Sequence, residues 1–349
     1  IERDFFENLR LEGENYIDSK VTPIQNASRF SAITRTESER IMLSFFGRAN
    51  YNYASRYLLS FTLRADGSSR FGPDKRFGFF PSASAGWRFS DEEFMRFAKD
   101  VLTDGKIRGS VGVTGNQSIS NYAWQGSFSA SSNRYDGHVI INHNSLMNTN
   151  LGWETTIQYN VGMDLMFFKG RVNLTADAYH KSSKDLLFNF PTNYYTGFSS
   201  VATNFGNIEN RGIEFLIETV NTDNAVRWET GFNISFNRNK ITDLPQGDDI
   251  LISGYSLGRV GKPIGIFFAH QALGVYDRDE SNVYYAPDGT IGQYRKGAST
   301  GEVFKGGDMI WADLDGNGVI DDDDRTIIGD PNPKFIAGLN NRISYKGWS

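Results

Sequence analysis

The 349-residue sequence has no cysteine, which excludes a disulfide framework and any thiolate site. It has no run of about 18 apolar residues, which excludes helical membrane spans. Mean hydropathy is low, at -0.43. Positive charge is not in excess: Lys plus Arg number 36 against 41 Asp plus Glu, a formal net charge of -5. A protein that tracks nucleic-acid phosphates needs the opposite balance, so no nucleic acid is expected as a partner. Histidine is scarce, with only His138, His143, His180 and His270. Only His138 and His143 lie near each other, with no carboxylate at ligand spacing, and they read as solvated loop residues. A nucleophile elbow for Ser–His–Asp chemistry is missing too.

Glycine and aromatic residues are plentiful, 36 Gly and 14% Phe, Trp and Tyr. The pattern behind them is clearest over 154–237. Ile157, Tyr159, Val161, Met163, Leu165 and Phe167 alternate with Gln158, Asn160, Gly162, Asp164 and Met166. That period of two is a β-strand with one apolar and one mostly polar face. Lys169-Gly170 reads as a two-residue hairpin turn. The return strand sets Val172, Leu174, Ala176 and Ala178 against Arg171, Asn173, Thr175 and Asp177. After a long connection, 181–211, come Ile213, Phe215 and Ile217 against Glu214 and Glu218. A turn at Asn221–Ala225 leads to Val226, Trp228, Phe232, Ile234 and Phe236 against Arg227, Glu229, Asn233 and Asn237. Strands of about ten residues, with short and long connections in turn, predict an antiparallel transmembrane β-barrel.

The rest of the chain follows suit. Residues 1–38 read as mostly loop, with one strand near 8–17. A hairpin turning at Ala54-Ser55 joins strands through Leu43–Tyr53 and Tyr57–Ala65, and another strand starts at Pro81. Ser90-Asp91-Glu92-Glu93 is a capping box that predicts a short helix over 91–98. Lys106–Thr114 resumes alternation. Residues 115–152 read as a long loop with short strands, and 238–262 as loop. Ile264–His270 is a short apolar strand, 275–333 a long polar insertion, and Leu339, Ile343 and Tyr345 mark a last strand. The all-β total is about ten to twelve strands. The opening Ile1-Glu2-Arg3 and the end at Trp348-Ser349 read as a piece of a longer protein.

Several segments together resemble one family, the SusC/RagA-like TonB-dependent outer-membrane transporters. They are Arg64-Ala65-Asp66-Gly67-Ser68-Ser69-Arg70-Phe71-Gly72, Phe80-Pro81-Ser82-Ala83-Ser84-Ala85-Gly86-Trp87-Arg88, Val111–Gln117 and Leu151-Gly152-Trp153-Glu154. Glu209-Asn210-Arg211-Gly212, Val260-Gly261-Lys262-Pro263 and Gly329-Asp330-Pro331-Asn332-Pro333 continue the order, so the resemblance covers roughly 64–349. It implies an incomplete barrel: this chain would be the barrel part, without the plug and the TonB-engaging segment, of a barrel of roughly 22 strands. It implies localisation in the outer membrane of a Gram-negative bacterium, among its lipids, and 275–333 as an extracellular insertion. It further implies import of glycan oligomers or peptides, a SusD-like surface lipoprotein as partner and drive through the TonB complex. No enzymatic step is implied. The alternative is a non-transporting structural or interaction barrel in an envelope assembly; a soluble carbohydrate-active enzyme is the third reading.

Within the insertion, the run from Asp313 to Asp324 has the spacing of a calcium loop. Asp313, Asp315, Asn317, the Val319 carbonyl, Asp321 and Asp324 are the expected ligands of a Ca2+ ion, with Gly318 at the sharp turn. Asp324 replaces the Glu of an EF-hand, and the plain reading is a solvated acidic turn. Asp164, Glu214, Glu218 and Glu229 on polar strand faces suit a hydrated wall better than an acid/base pair. Tyr122, Trp124, Tyr194, Tyr195 and Phe198 are loop aromatics that pack loops together or stack on a ligand.

Overall fold

The protein is described from a computed structural model, which places residues 1–16, 20, 23–192, 194–245, 249–346 and 348. In chain order the strands are β1 (Glu2–Glu14), β2 (Arg29–Tyr53), β3 (Tyr57–Ser68), β4 (Phe77–Phe79), β5 (Ser82–Arg88), β6 (Leu102–Asn116), β7 (Ser127–Tyr135), β8 (His138–Ser145), β9 (Glu154–Phe167) and β10 (Val172–Lys184). They continue as β11 (Leu187–Pro191), β12 (Ser200–Asn204), β13 (Asn207–Asp223), β14 (Val226–Asp243), β15 (Ile250–Ser253), β16 (Ser256–Gly258), β17 (Ile266–His270) and β18 (Ala272–Val275). The last are β19 (Tyr284–Tyr285), β20 (Ile291–Gly292), β21 (Arg295–Lys296), β22 (Met309–Trp311), β23 (Val319–Ile320), β24 (Arg325–Gly329) and β25 (Ile336–Tyr345). No helix among the described residues is long and apolar enough to cross a membrane, which says nothing of strands.

Two compact units divide the chain. The first is Ile1–Asn207, Ile213–Ile234 and Ala337–Ser349; the second is Ile208–Gly212 and Ser235–Ile336. The first carries an 11-stranded sheet in the order β1-β2-β3-β5-β6-β9-β10-β13-β14-β25, with β4 paired to β3. Antiparallel register puts residues that pair directly on one face. One row reads Asn50–Ser60–Ser84–Ser110–Asn160–Tyr179, and the next reads Arg48–Thr62–Ser82–Gly112–Gln158–Lys181. The opposite face reads Tyr53–Tyr57–Trp87–Ile107–Met163–Ala176, then Tyr51–Leu59–Ala85–Gly109–Val161–Ala178. The alternation within each strand is therefore kept in step across six strands, which a chance pattern in one strand does not require.

Connections along this sheet fall at its two ends in turn, 54–56, 89–101, 168–171 and 224–225 at one and 69–81, 117–153, 185–206 and 244–335 at the other, and 89–101 is as long as 69–81. The connections 69–81 and 117–153 share a small core. Phe71 and Leu151 are fully buried, and Trp153 packs on Phe71 and Phe80 with ring centroids at 4.9 and 5.2 Å. Gly72 passes so close to Thr149 that a Cβ there would lie 1.8 Å from its carbonyl oxygen, so only glycine fits. Arg70 donates to Asn121 Oδ1 (2.8 Å) and to the Gln117 carbonyl (3.0 Å). Four of the segments behind the family resemblance, 64–72, 80–88, 111–117 and 151–154, thus meet in one place.

Several expectations need correction. Residues 1–38 are not mostly loop: β1 and the first half of β2 form a long ribbon, although residue 17 of the expected 8–17 strand lies outside the described residues. Its strands mix charged and apolar residues without strict alternation, and cross-strand ion pairs such as Arg3–Glu39 (2.5 Å), Arg35–Glu7 (2.9 Å) and Arg40 with Glu2 and Asp4 accompany the ladder. The capping box forms no α-helix over 91–98. Two 3-10 turns stand there, Phe89–Asp91 and Glu93–Ala98, neither with a side-chain cap, and Ser90 Oγ donates to Asp104 (3.1 Å). The turn at Lys169-Gly170 is a four-residue loop with positive φ at Phe168, Lys169 and Gly170. The turn within Asn221–Ala225 shrinks to 224–225, since β13 runs on to Asp223. Residues 238–262 hold the end of β14 plus β15 and β16.

The second unit extends beyond the 275–333 insertion and has its own core. Tyr276, Phe304 and Ile320 are buried, with Tyr294, Ile310 and Trp311 packed against them. Asn282, almost wholly buried, braces this core by donating to the Phe304 and Tyr294 carbonyls (2.9 and 3.0 Å) and accepting from Tyr294 N–H (2.8 Å).

Candidate functional site

Two places concentrate polar chemistry: the polar face of the sheet and the acidic loop of the second unit. On the sheet, Arg108 lies flat across Gly162, where a Cβ would come within 2.6 Å of the guanidinium carbon. From there it donates to Asp177 Oδ2 (2.7 Å) and Asp164 Oδ2 (3.2 Å), while Lys106 Nζ sits 3.0 Å from Asp164. The four charges cancel and tie β6, β9 and β10 together in register. Beside them the floor is made of short side chains, Ser60, Ser84, Gly86 and Ser110, which leaves a hollow of about 420 Å³ rimmed by Asn50, Lys106, Arg108 and Asn160. A second hollow of about 370 Å³ shares Ser60, Ser84 and Ser110 and is rimmed by Arg48 and Gln158. Such a wall offers hydroxyls, amides and balanced charge to water or to a polar solute.

Of the other carboxylates considered for acid/base work, Glu229 is held by Arg227 (2.7 Å), and Glu229 and Glu218 line one hollow of about 410 Å³ with Asn173 and Arg342. His143 stacks on Phe128, centroids 4.4 Å apart, with Phe198 edge-on at 5.2 Å, whereas His138 pairs with Tyr135 at the hairpin tip. Those two histidines therefore share no ligand set. Tyr122 Oη accepts from Glu39 N–H (2.8 Å) and Trp124 donates to the Ser69 carbonyl (3.2 Å), so both pack connections together. Tyr195 is exposed, and the side chain of Tyr194 lies outside the described residues.

In the acidic loop, carboxylate oxygens of Asp313, Asp315 and Asp324 come within 4.8 Å of one another, the only such group among the described residues. Gly316 and Gly318 at positive φ bend the loop so that its N–H groups point inward. Asp313 accepts from Gly316, Asn317 and Gly318 (2.8, 3.2 and 2.9 Å), and Asp315 Oδ1 accepts from Asn317 N–H (3.1 Å). Asn317 Oδ1 accepts from Val319 N–H (2.6 Å). Asp324, fully buried, accepts from Leu314 N–H (2.7 Å) and Asp321 N–H (3.0 Å). The Asp321 carboxylate stands apart from the group of three and caps the Asp322–Asp324 turn, and its carbonyl accepts from His270 Nε2 (2.5 Å). Asp322 points to solvent, its oxygen 3.6 Å from Arg325. Tyr284 closes the loop by donating to the Gly316 carbonyl (2.5 Å); burial first, then the nearby Asp313, Asp288 and Asp315 charges, push its hydroxyl above the usual tyrosine range.

The sequence pointed to the acidic loop directly but not to the Arg108 cluster. Its signal was present as Arg108, Asp164 and Asp177 at polar positions of separate strands. What joins them is the pairing of β6 with β9 across the connection 117–153.

An antiparallel sheet with one registered apolar face and one registered polar face is the wall of a membrane β-barrel. Residues 4–330 match the family described as TonB dependent receptor-like, beta-barrel, and the chain belongs to that family. It is 39% identical to TonB-dependent receptor P3 of Formosa agariphila over 89% of this chain and 31% of that protein. It is 30% identical to TonB-dependent receptor SusC of Bacteroides thetaiotaomicron over 99% of this chain and 34% of that one. The chain thus spans about a third of the length of these relatives. In fold it resembles a chain in the structure of the RagAB peptide transporter, with a TM-score of 0.78 at 24% identity over 95% of this chain and 35% of that one.

Proposed function

We propose that this chain forms barrel wall in an outer-membrane importer that takes up glycan oligomers or peptides together with a SusD-like surface lipoprotein, driven through TonB. The observation that carries the reading is the two-faced sheet: rows of Ser, Thr, Asn and Gln on one face, and rows of Tyr, Leu, Val and Ile on the other, in register over six strands. The apolar face meets lipid and the polar face meets a hydrated lumen. The names of its relatives support the rest: SusC for the class of transporter, and a RagAB peptide transporter for one class of cargo. The barrel acts as scaffold and the chain performs no covalent step. The end of the sheet with 54–56, 89–101, 168–171 and 224–225 lies on the periplasmic side, and the end with 117–153 and 185–206 lies outside the cell. The test is deletion of the full-length gene, followed by uptake of labelled oligosaccharides and oligopeptides and by fractionation of the envelope. Loss of uptake of one cargo class supports import. Unchanged uptake of every class, with the protein in the outer membrane, leaves the structural barrel of an envelope assembly as the reading.

The acidic loop supports a second proposal, that calcium binds there and orders the second unit. Three carboxylates within 4.8 Å repel one another unless a cation lies among them. Their oxygen-only donors, with Asn317, the Val319 carbonyl and Asp321 in the same loop, suit Ca2+ better than a thiophilic metal. Asp313, Asp315 and Asp324 would hold the ion, with the others completing its shell. The protein should resist proteolysis at 300–330 better in calcium than in chelator, and Asp313→Ala with Asp315→Ala should abolish the difference. Equal cleavage of the unaltered protein in both buffers makes the loop an acidic turn held by its own N–H groups.

A further inference from the structure

The polar face of the sheet runs on past the last residue of β3. Register sets Asp66 beside Ser44 and Ser68 beside Met42, and the next alternate residues are Arg70 and Arg40. Arg40 pairs with Asp4 in the ladder of β1 and β2, and Glu2 and Asp4 both hold its guanidinium. Arg70 has no such counterpart. Its Nε donates to Asn121 Oδ1 (2.8 Å) and its Nη1 to the Gln117 carbonyl (3.0 Å), both neutral groups. Among the described residues Nη2 has no hydrogen-bond partner and no carboxylate pairs with Arg70. Gln117 is itself fixed, accepting from Ser68 Oγ (2.6 Å) and donating to Met42 Sδ (3.2 Å). The guanidinium is therefore held in place by neutral groups, with its Nη2 end left over.

Arg70 lines a hollow of about 460 Å³ where the connections 69–81, 117–153 and 185–206 meet. Ser118 and Ser120 come from the second of these, and Leu187, Phe188 and Asn189 from β11 in the third. Arg70 is the only charged residue among the described residues that line it. Glu154, whose carboxylate accepts from Leu187 N–H (3.2 Å), is not in the lining. Burial first, then the charge of Arg40, push the Arg70 guanidinium below the usual arginine range, with Asp4 acting the other way. A part-buried cation without a counter-ion, beside a polar hollow, is stabilised by an anion that enters it.

We propose that this hollow is a subsite for a carboxylate carried by the imported oligomer. Arg70 meets the carboxylate, and Ser118, Ser120 and Asn189 donate to its remaining lone pairs. The planar guanidinium matches the two oxygens of a carboxylate, and one such cation balances a single negative charge. The carboxylate is the uronate of an acidic glycan or the C-terminal end of a peptide, two sources of the same chemistry. The hollow lies at the sheet end assigned above to the outside of the cell, on the polar side, where cargo enters. The inference rests on the import reading and adds that acidic cargo is preferred to neutral cargo of the same backbone.

The test uses bacterial cells that lack the native gene and carry the full-length gene, unaltered or substituted. Two pairs of labelled probes are offered. One pair is oligogalacturonates and their methyl esters. The other is a mixture of short peptides without Asp or Glu, with free or amidated C-termini. The expected result is that the unaltered protein takes up the acid member of at least one pair several-fold faster than its neutral partner, and the pair that shows it identifies the source. Arg70→Gln should bring the two rates of that pair together. Asn189→Asp adds a carboxylate to the lining without removing a group that holds Arg70, and should equalise or reverse the two rates. It reads the subsite even where Arg70→Gln fails to reach the membrane. A purely structural role for Arg70 lowers both members in proportion and leaves their ratio as it was in both variants, which overturns the subsite. Equal uptake of acid and neutral members by the unaltered protein also overturns it and leaves import standing. No uptake of any probe overturns import and the subsite together.

Discussion

In the second unit, Tyr276, Phe304 and Ile320 are 5%, 6% and 7% exposed and pack on one another. In the sheet, Phe61, Tyr159 and Val161 stand in neighbouring apolar rows and are 56%, 55% and 61% exposed. Both regions are rich in aromatics, but they use them in opposite ways. The second unit buries them against each other and leaves most of its charged side chains outside, Asp324 being the buried exception. The sheet keeps its hydrogen-bonded ladder within itself and turns its apolar side chains away from the chain. A surface of that kind is stable where lipid is the solvent on one side. The two regions should therefore respond differently to the same kind of change.

The largest effect is expected inside the second unit. Phe304→Ala removes a ring from a three-residue core and should cost about 3–5 kcal/mol of that unit's stability. Hydrogen exchange should speed up over 270–330 and stay unchanged over β6, β9 and β10. A parallel loss of protection in those strands would mean that both units unfold as one body, and the contrast would fall.

Next comes the apolar face itself. Phe61→Arg should cost about 2–4 kcal/mol in a bilayer, by the depth-dependent penalty for a charge on the lipid side. Ser84→Arg, one strand away on the polar face, should change stability by no more than about 0.5 kcal/mol. Reversible denaturant unfolding in lipid reads both. Equal costs for the two substitutions would reject the assignment of faces.

The same contrast explains what the sequence disclosed. Strands at 154–237 were legible because a face that meets lipid demands strict alternation. The ribbon of β1 and β2 was not, because Arg3, Glu39, Glu7 and Arg35 alternate with charged and apolar neighbours alike, and ion pairs across strands leave no apolar signature. The core of the second unit was hidden for another reason. It is built from Tyr276, Tyr294, Phe304 and Trp311, which lie far apart in a stretch that is polar on average. The acidic loop was legible because its donors are local. The Arg108 cluster depends on register between strands that a long connection separates, and single-strand periodicity carries no such information.

That cluster gives the next prediction. Gly162→Ala puts a Cβ 2.4 Å from Asp177 Oδ1 and 2.6 Å from the Arg108 guanidinium carbon, so the clamp must shift. The groups are partly exposed, and the expected cost is about 1–2 kcal/mol. In an Arg108→Met background the same alanine should cost less, since the obstructing guanidinium is gone. Equal costs in both backgrounds would mean that Gly162 is needed for the strand alone and not for the clamp.

The smallest effect concerns pH and again separates the units. Asp308 accepts from Lys305 N–H (3.0 Å) and pairs with Lys296 Nζ (3.1 Å), and these hold its carboxyl below the usual carboxylate range, the backbone bond first. Asp330 is held down in the same way by the N–H and side-chain amide of Asn332 (2.9 and 2.7 Å). A carboxylate whose folded pKa is depressed stabilises the fold fully above its unfolded pKa, near 4, and that stabilisation fades as pH falls through the folded value. The second unit should therefore loosen below about pH 4. Asp330 is exposed and Asp308 partly so, and solvent screening keeps the change small. Brief pepsin digestion between pH 4 and pH 2 should raise cleavage within 270–330 before any within the strands. In Asp308→Asn the neutral amide cannot titrate, so the rise in cleavage with acid should be shallower. An unchanged slope in that variant would assign the acid sensitivity to other carboxylates of the unit.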